Sequence, residues 1–129
     1  MSRYVQTEQD IYSIFALPEW ASEGVPTYPA EYIPPVNNTE YLRITIIPSE
    51  TGLNAGSTSG IMMIDIFFPA NVGSRRGFEL ADLLDDYLVK KTILTTQIFD
   101  STLRPASSED STLSRLIYSI PFKHFGEQL

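Results

Sequence analysis

Cysteine is absent from the 129 residues, which removes disulfides, thiol catalysis and cysteine-ligated metals from consideration. Histidine occurs once, as His124, so a two-histidine metal site or metalloprotease motif cannot be built. That residue stands in Phe122-Lys123-His124-Phe125 and reads as a surface or packing side chain. Cations are scarce: Lys and Arg total 9 against 16 Asp and Glu, for a formal net charge of −7 and a pI of about 4.5. A nucleic-acid-binding face needs clustered Lys and Arg to displace counterions from phosphates, and here they are scattered. The acidic balance should instead keep the chain away from DNA and anionic membranes. Long apolar runs are missing as well. The longest, Ile61 to Ile64, is interrupted by Asp65 and falls far short of a membrane span. Residues 1–8 lack the apolar core of a signal peptide. These absences point to a soluble chain made in a reducing cytoplasm.

Recognisable catalytic turns are lacking too. No Gly-x-Ser-x-Gly elbow presents a seryl nucleophile. Gly52, Gly56 and Gly60 are evenly spaced but lack the Lys-Ser/Thr pair of a phosphate loop. Asp82, Asp85 and Asp86 stand at i, i+3 and i+4 and would share one helix face. Magnesium would want such a cluster, so a small metal-dependent enzyme or ligand-binding domain is the alternative of another class. A solvated helix face has the same pattern, however, and Lys90 gives Asp86 an ordinary ion-pair partner. We expect no enzyme: no catalytic residue, no cofactor and no metal.

What is present is apolar pattern. Apolar residues make up 43% and charged residues 19%, below the usual quarter, with seven Tyr and seven Phe. One domain with one core fits this length. Tyr4, Ile11, Tyr12 and Phe15 predict a helix over 2–17, ended by Pro18, with Thr7 and Asp10 as a possible capping box. Residues 18–40 hold five prolines with Trp20, Tyr28 and Tyr32, which predicts an irregular strip without helix or central strand. Trp20, Tyr28 and Tyr32 are candidates to dock on a neighbouring subunit. Strands are predicted at 41–47, 60–68, 93–99 and 113–122, with polar loops over 49–59 and 101–111. Ser74 is a plausible N-cap for a helix over 75–89, buried through Leu80, Ala81, Leu84, Tyr87 and Leu88.

The strand at 60–68 is apolar on both sides. Met62, Ile64, Ile66 and Phe68 line one face, and Ile61, Met63, Asp65 and Phe67 the other. Such a strand needs cover on both sides, and a second subunit is the natural candidate for the Ile61–Phe67 face. Arg75 and Arg76 break a helix rule, because the first turn favours acids, and Gly77 adds a further penalty of about 1 kcal/mol. Their guanidiniums are candidates to meet carboxylates of an adjacent subunit.

An N-terminal helix, then Trp20, Pro26, Tyr28, Pro29, Tyr32, Pro34 and Pro35, then the strand from Tyr41 to Pro48 and a Gly/Ser loop form one pattern. Ser59 to Pro69, Gly73, the helix segment Leu80-Ala81-Asp82-Leu83-Leu84 and the closing Tyr118-Ser119-Ile120-Pro121-Phe122 complete it. The pattern covers nearly the whole chain and resembles the tail terminator, or tail completion, proteins of long-tailed bacteriophages. The resemblance implies a homohexameric ring at the head-proximal end of the tail tube, assembled in the host cytoplasm and carried in the virion. Its partners would be its own copies, the tail tube protein and a neck or head-completion protein. Genomic DNA would pass through the lumen without specific binding, and no membrane is involved. A neck, head-completion or tube subunit is the nearest rival. The expected fold is α+β, a mostly antiparallel four-stranded sheet with two helices on one face, in a single ring-forming, tail terminator-like domain spanning 1–129.

Overall fold

The structure, a computed structural model, describes residues 3–30, 40–51, 57–70, 73–107 and 112–125, with backbone alone for 49–51. Helix α1 (Arg3–Phe15) buries Thr7, Asp10, Ile11 and Ile14 along one side. Thr7 is interior to this helix, and its hydroxyl donates one turn back to the Arg3 carbonyl at 2.6 Å. The expected Thr7–Asp10 capping box is therefore not formed. A second helix, α2 (Pro18–Glu23), lies where no helix was expected. Pro18 starts this helix instead of merely ending the previous one, because its missing N–H falls where no intrahelical partner exists. Leu17 before it is extended, and Gly24 closes the helix at φ 71°.

Strand β1 (Thr27–Pro29) runs parallel to β2 (Tyr41–Thr51). β2 pairs antiparallel with β3 (Thr58–Pro69), and helix α3 (Arg75–Leu88) follows. A short hairpin of β4 (Thr92–Ile93) and β5 (Thr96–Ile98) leads to β6 (Thr102–Ala106) and the long β7 (Leu113–His124). The sheet order is β1-β2-β3-β7-β5-β4, with β6 also on β7. β5 takes the end of β7 near Phe122, and β6 takes the stretch from Arg115 to Ser119.

This corrects the expected four-stranded, mostly antiparallel sheet with two helices. Among the described residues the sheet has seven strands, is mixed because β1 is parallel, and is accompanied by three helices. The extra strands are short edge pieces that carry little apolar periodicity. β6 lies inside the polar stretch read as a loop, and the strand expected over 93–99 is divided between β4 and β5. The loop expected over 49–59 is shorter too, since β2 and β3 stay paired out to Thr51 and Thr58. Its centre, residues 52–56, lies outside the described residues.

Successive strand residues alternate between faces. Leu42, Ile44, Met62, Ile64, Ile66, Phe68, Leu116, Tyr118, Ile120 and Phe122 form one face of the core. Ile11 and Ile14 of α1, Trp20 of α2, and Leu80, Leu84 and Leu88 of α3 pack into that same cluster. Gly77, odd for a helix by propensity, has a packing reason: a Cβ there would meet the Phe68 ring at 2.6 Å and Leu116 Cδ1 at 2.7 Å. Gly60 is tighter still, because its missing Cβ would overlap the Ile47 carbonyl oxygen of the paired strand. Backbone cannot yield as a side-chain tip can. Gly60→Ala is expected to destabilise by about 1–3 kcal/mol, read as a lowered urea midpoint at unchanged slope.

Candidate interaction surface on the open sheet face

The face opposite the core is built from the odd-numbered residues of β2, β3 and β7, and it carries two zones. At one end Asp65 lies between two arginines. Arg43 approaches its Oδ2 from β2, with both Nε and Nη2 at 3.3 Å. Arg115 donates to its Oδ1 from β7, through Nε at 2.9 Å and Nη2 at 2.7 Å. The Asp65 side chain is 8% exposed, whereas Arg43 and Arg115 keep 32% and 27% open to water. Arg43 also lies over the Phe67 ring at 5.2 Å, and Tyr41 stacks on that ring at 4.5 Å and 18°. Tyr28 of β1 extends the aromatic group, 5.9 Å from Tyr41. Phe67 is thereby buried by its own chain. Arg104 of β6 stands beside Ile117 and is exposed.

At the other end the face is apolar and open. Ile47, Ile61 and Pro121 form a cross-strand row in register, and all three are exposed. Phe99, whose N–H bonds the Pro121 carbonyl, continues the row and is 42% exposed. Met63, half-buried, sits one step toward the arginines, between Thr45 and Ser119.

The candidate interface residues thus divide. Ile61, Met63, Asp65, Phe67 and Tyr28 meet on this one face. Trp20 does not join them: it is 3% exposed, donates Nε1–H to Thr27 Oγ1 at 3.0 Å, and makes edge contacts with Phe15 and Tyr87. It is a core residue of its own chain. Arg76 forks onto Glu40 of the same chain, at 2.7 and 2.6 Å, so its partner is internal. Arg75 is exposed at the start of α3. Ser74 makes no side-chain cap for that helix. Tyr32 lies outside the described residues. Arg104 and Arg115 were missed, although Arg43, Asp65 and Arg115 share odd positions in strands, which is a signal that could have paired them.

Two polar groups lie on the core side. Asp10 is fully buried. It accepts from Gln6 Nε2 at 2.8 Å, Thr95 Oγ1 at 2.9 Å, Thr96 Oγ1 at 2.8 Å and the Thr95 N–H at 3.3 Å. His124, also buried, places Nδ1 3.0 Å from Thr96 Oγ1. This group ties α1 to the β4–β5 turn and the end of β7. The second group uses Asp85, whose Oδ1 accepts from Tyr118 at 2.7 Å and Ser101 at 2.6 Å. Asp85 is therefore withdrawn from the Asp82 and Asp86 face. Among the described residues no three acid or histidine side chains gather to hold a metal ion.

Burial, reinforced by the hydrogen bond to Asp85, pushes the Tyr118 phenol above its ordinary value. The folded state then keeps this proton to higher pH than the unfolded chain does. Its contribution is complete below about pH 10, where unfolded tyrosine begins to ionise, and is lost above that. Stability should fall by up to about 1.4 kcal/mol per pH unit on the alkaline side. Urea denaturation there should show a flatter decline for Tyr118→Phe than for the wild type.

No family model matches the chain, and no curated protein matches it. A solved structure whose name conveys no function superposes with a TM-score of 0.67 at 16% identity, covering 95% of this chain and 98% of that one. At that identity the likeness speaks to the fold alone.

Proposed function

We propose that this chain is a structural virion subunit that forms a homohexameric ring at the head-proximal end of a phage tail tube. The ring ends tube polymerisation and offers the surface to which the filled head joins. One observation carries this reading: one end of the sheet face is open and apolar, with Ile47, Ile61, Pro121 and Phe99 exposed in one row. Contiguous apolar surface rimmed by polar residues marks a protein contact site. The whole-chain resemblance to tail terminator proteins supports the same reading and supplies the partners: sister copies, the tube protein and a neck protein. Six copies at −7 each would carry −42, which suits a conduit that lets DNA slide without holding it.

Native mass measurement with negative-stain imaging of the purified protein tests this. A closed ring of six is expected, and a protein that stays monomeric at roughly 100 µM, well above micromolar affinity, would overturn it. A phage lacking the gene should make tubes of unregulated length without heads. Tubes of normal length that merely fail to join heads would move the chain to the neck, and absence of tubes would make it the tube subunit.

A further inference from the structure

The open sheet face and the helical layer behind it carry opposite charge. On the sheet face Arg43, Arg104, Arg115 and Lys123 stand against Asp65 and against Glu50, which the register sets opposite Ser59 on the same side. That is a net of +2 on a chain whose total is −7, so −9 resides elsewhere. The helices expose a net −4 of it: Glu79, Asp82 and Asp86 on α3 and Glu19 and Glu23 on α2, against Arg75 at the start of α3. The Tyr87 hydroxyl bonds Glu23, which brings the two acidic helices side by side. Phe78, 49% exposed on α3, adds an apolar side chain to that surface.

We infer that the sheet face of one copy docks on the α2–α3 face of the next, head to tail. This rests on the ring reading above and specifies its contact. Two identical sheet faces meeting each other would oppose +2 with +2, and two helical faces would oppose acid with acid, so a two-fold dimer is disfavoured through either. Opposite patches on opposite sides of one molecule make a heterologous contact, which closes into a ring when the rotation between neighbours allows. The apolar row then receives Phe78 and its surroundings while Arg104 faces Asp82 and Asp86.

Charge reversal on exposed residues tests this with little risk to the fold. Arg104→Glu, and separately the double variant Asp82→Arg with Asp86→Arg, are each expected to weaken self-association at least about tenfold in sedimentation across a concentration series. The double variant is the sharper of the two, because it lowers net charge and would strengthen any contact governed by overall repulsion. Mixed in equal amounts, the variants should regain rings of even membership, since each altered patch then meets its altered complement. Thermal midpoints should stay near that of the wild type. Rings that form normally in both variants, or variants that dissociate alone and stay apart when mixed, overturn the contact while leaving the ring standing. A monomeric wild type overturns both.

Discussion

Trp20→Ala is expected to destabilise the isolated subunit by about 3–5 kcal/mol, the cost of deleting a large buried aromatic whose cavity cannot collapse. The indole is wedged between Phe15 at 5.1 Å and Tyr87 at 5.0 Å, both edge-on, so α1, α2 and α3 all lose a common contact. Its Nε1–H also anchors Thr27, which begins the parallel strand β1. Urea denaturation at low protein concentration is the appropriate measurement. A midpoint close to wild type, with assembly lost, would return Trp20 to the role of an intersubunit anchor. Trp20→Phe should recover a large part of the packing but leave Thr27 without its donor.

Asp10→Ala is expected to cost a similar amount, about 3–5 kcal/mol, for a different reason. The substitution removes little volume, but it takes the acceptor from the half-buried Thr95 N–H and leaves the Thr95 and Thr96 hydroxyls to compete for the single His124 Nδ1. Orphaned buried donors each forfeit their desolvation penalty, and several are lost at once. Asp10→Asn retains an acceptor and should fall between the two. Hydrogen exchange should show faster opening of the β4–β5 turn and of the end of β7 in Asp10→Ala, because this carboxylate ties α1 to the place where β5 pairs with the end of β7. Unchanged protection at Thr95 and Phe125 would count against this role.

The parts legible in the sequence were those with strong periodicity. The alternation at Leu42, Ile44 and Ile46, at Met62 through Phe68, and at Leu116 through Phe122 placed three long strands, and the Leu80–Leu84–Leu88 stripe placed α3. The edges were not legible. Thr102-Leu103-Arg104-Pro105-Ala106 is almost wholly exposed and contains a proline, so β6 offers no buried alternation to detect. The β4–β5 turn has Leu94 at φ 54°, where a turn rule would look for glycine or asparagine. Pro18 is ambiguous in the sequence, because the same residue type that ends one helix can begin another. Within the interaction surface, Ile61 through Phe67 could be named from parity alone. What parity cannot reveal is lateral cover: Phe67 is shielded by Tyr41 and two guanidiniums, while Ile61 on the same face is 42% exposed. The Asp10 group was invisible for another reason, since its members are separated by more than 80 positions in the chain.

β3 lies between β2 and β7, with its whole length paired to β7. During translation β2 is already available when β3 leaves the ribosome, but β7 is still to be made, with α3 and three short strands to come first. For that interval the nascent hairpin shows one unpaired edge and grease on both surfaces, which is a template for misassociation on a crowded polysome. Production of this chain should therefore be unusually sensitive to stalling between Ala70 and Thr112, and to chaperone supply.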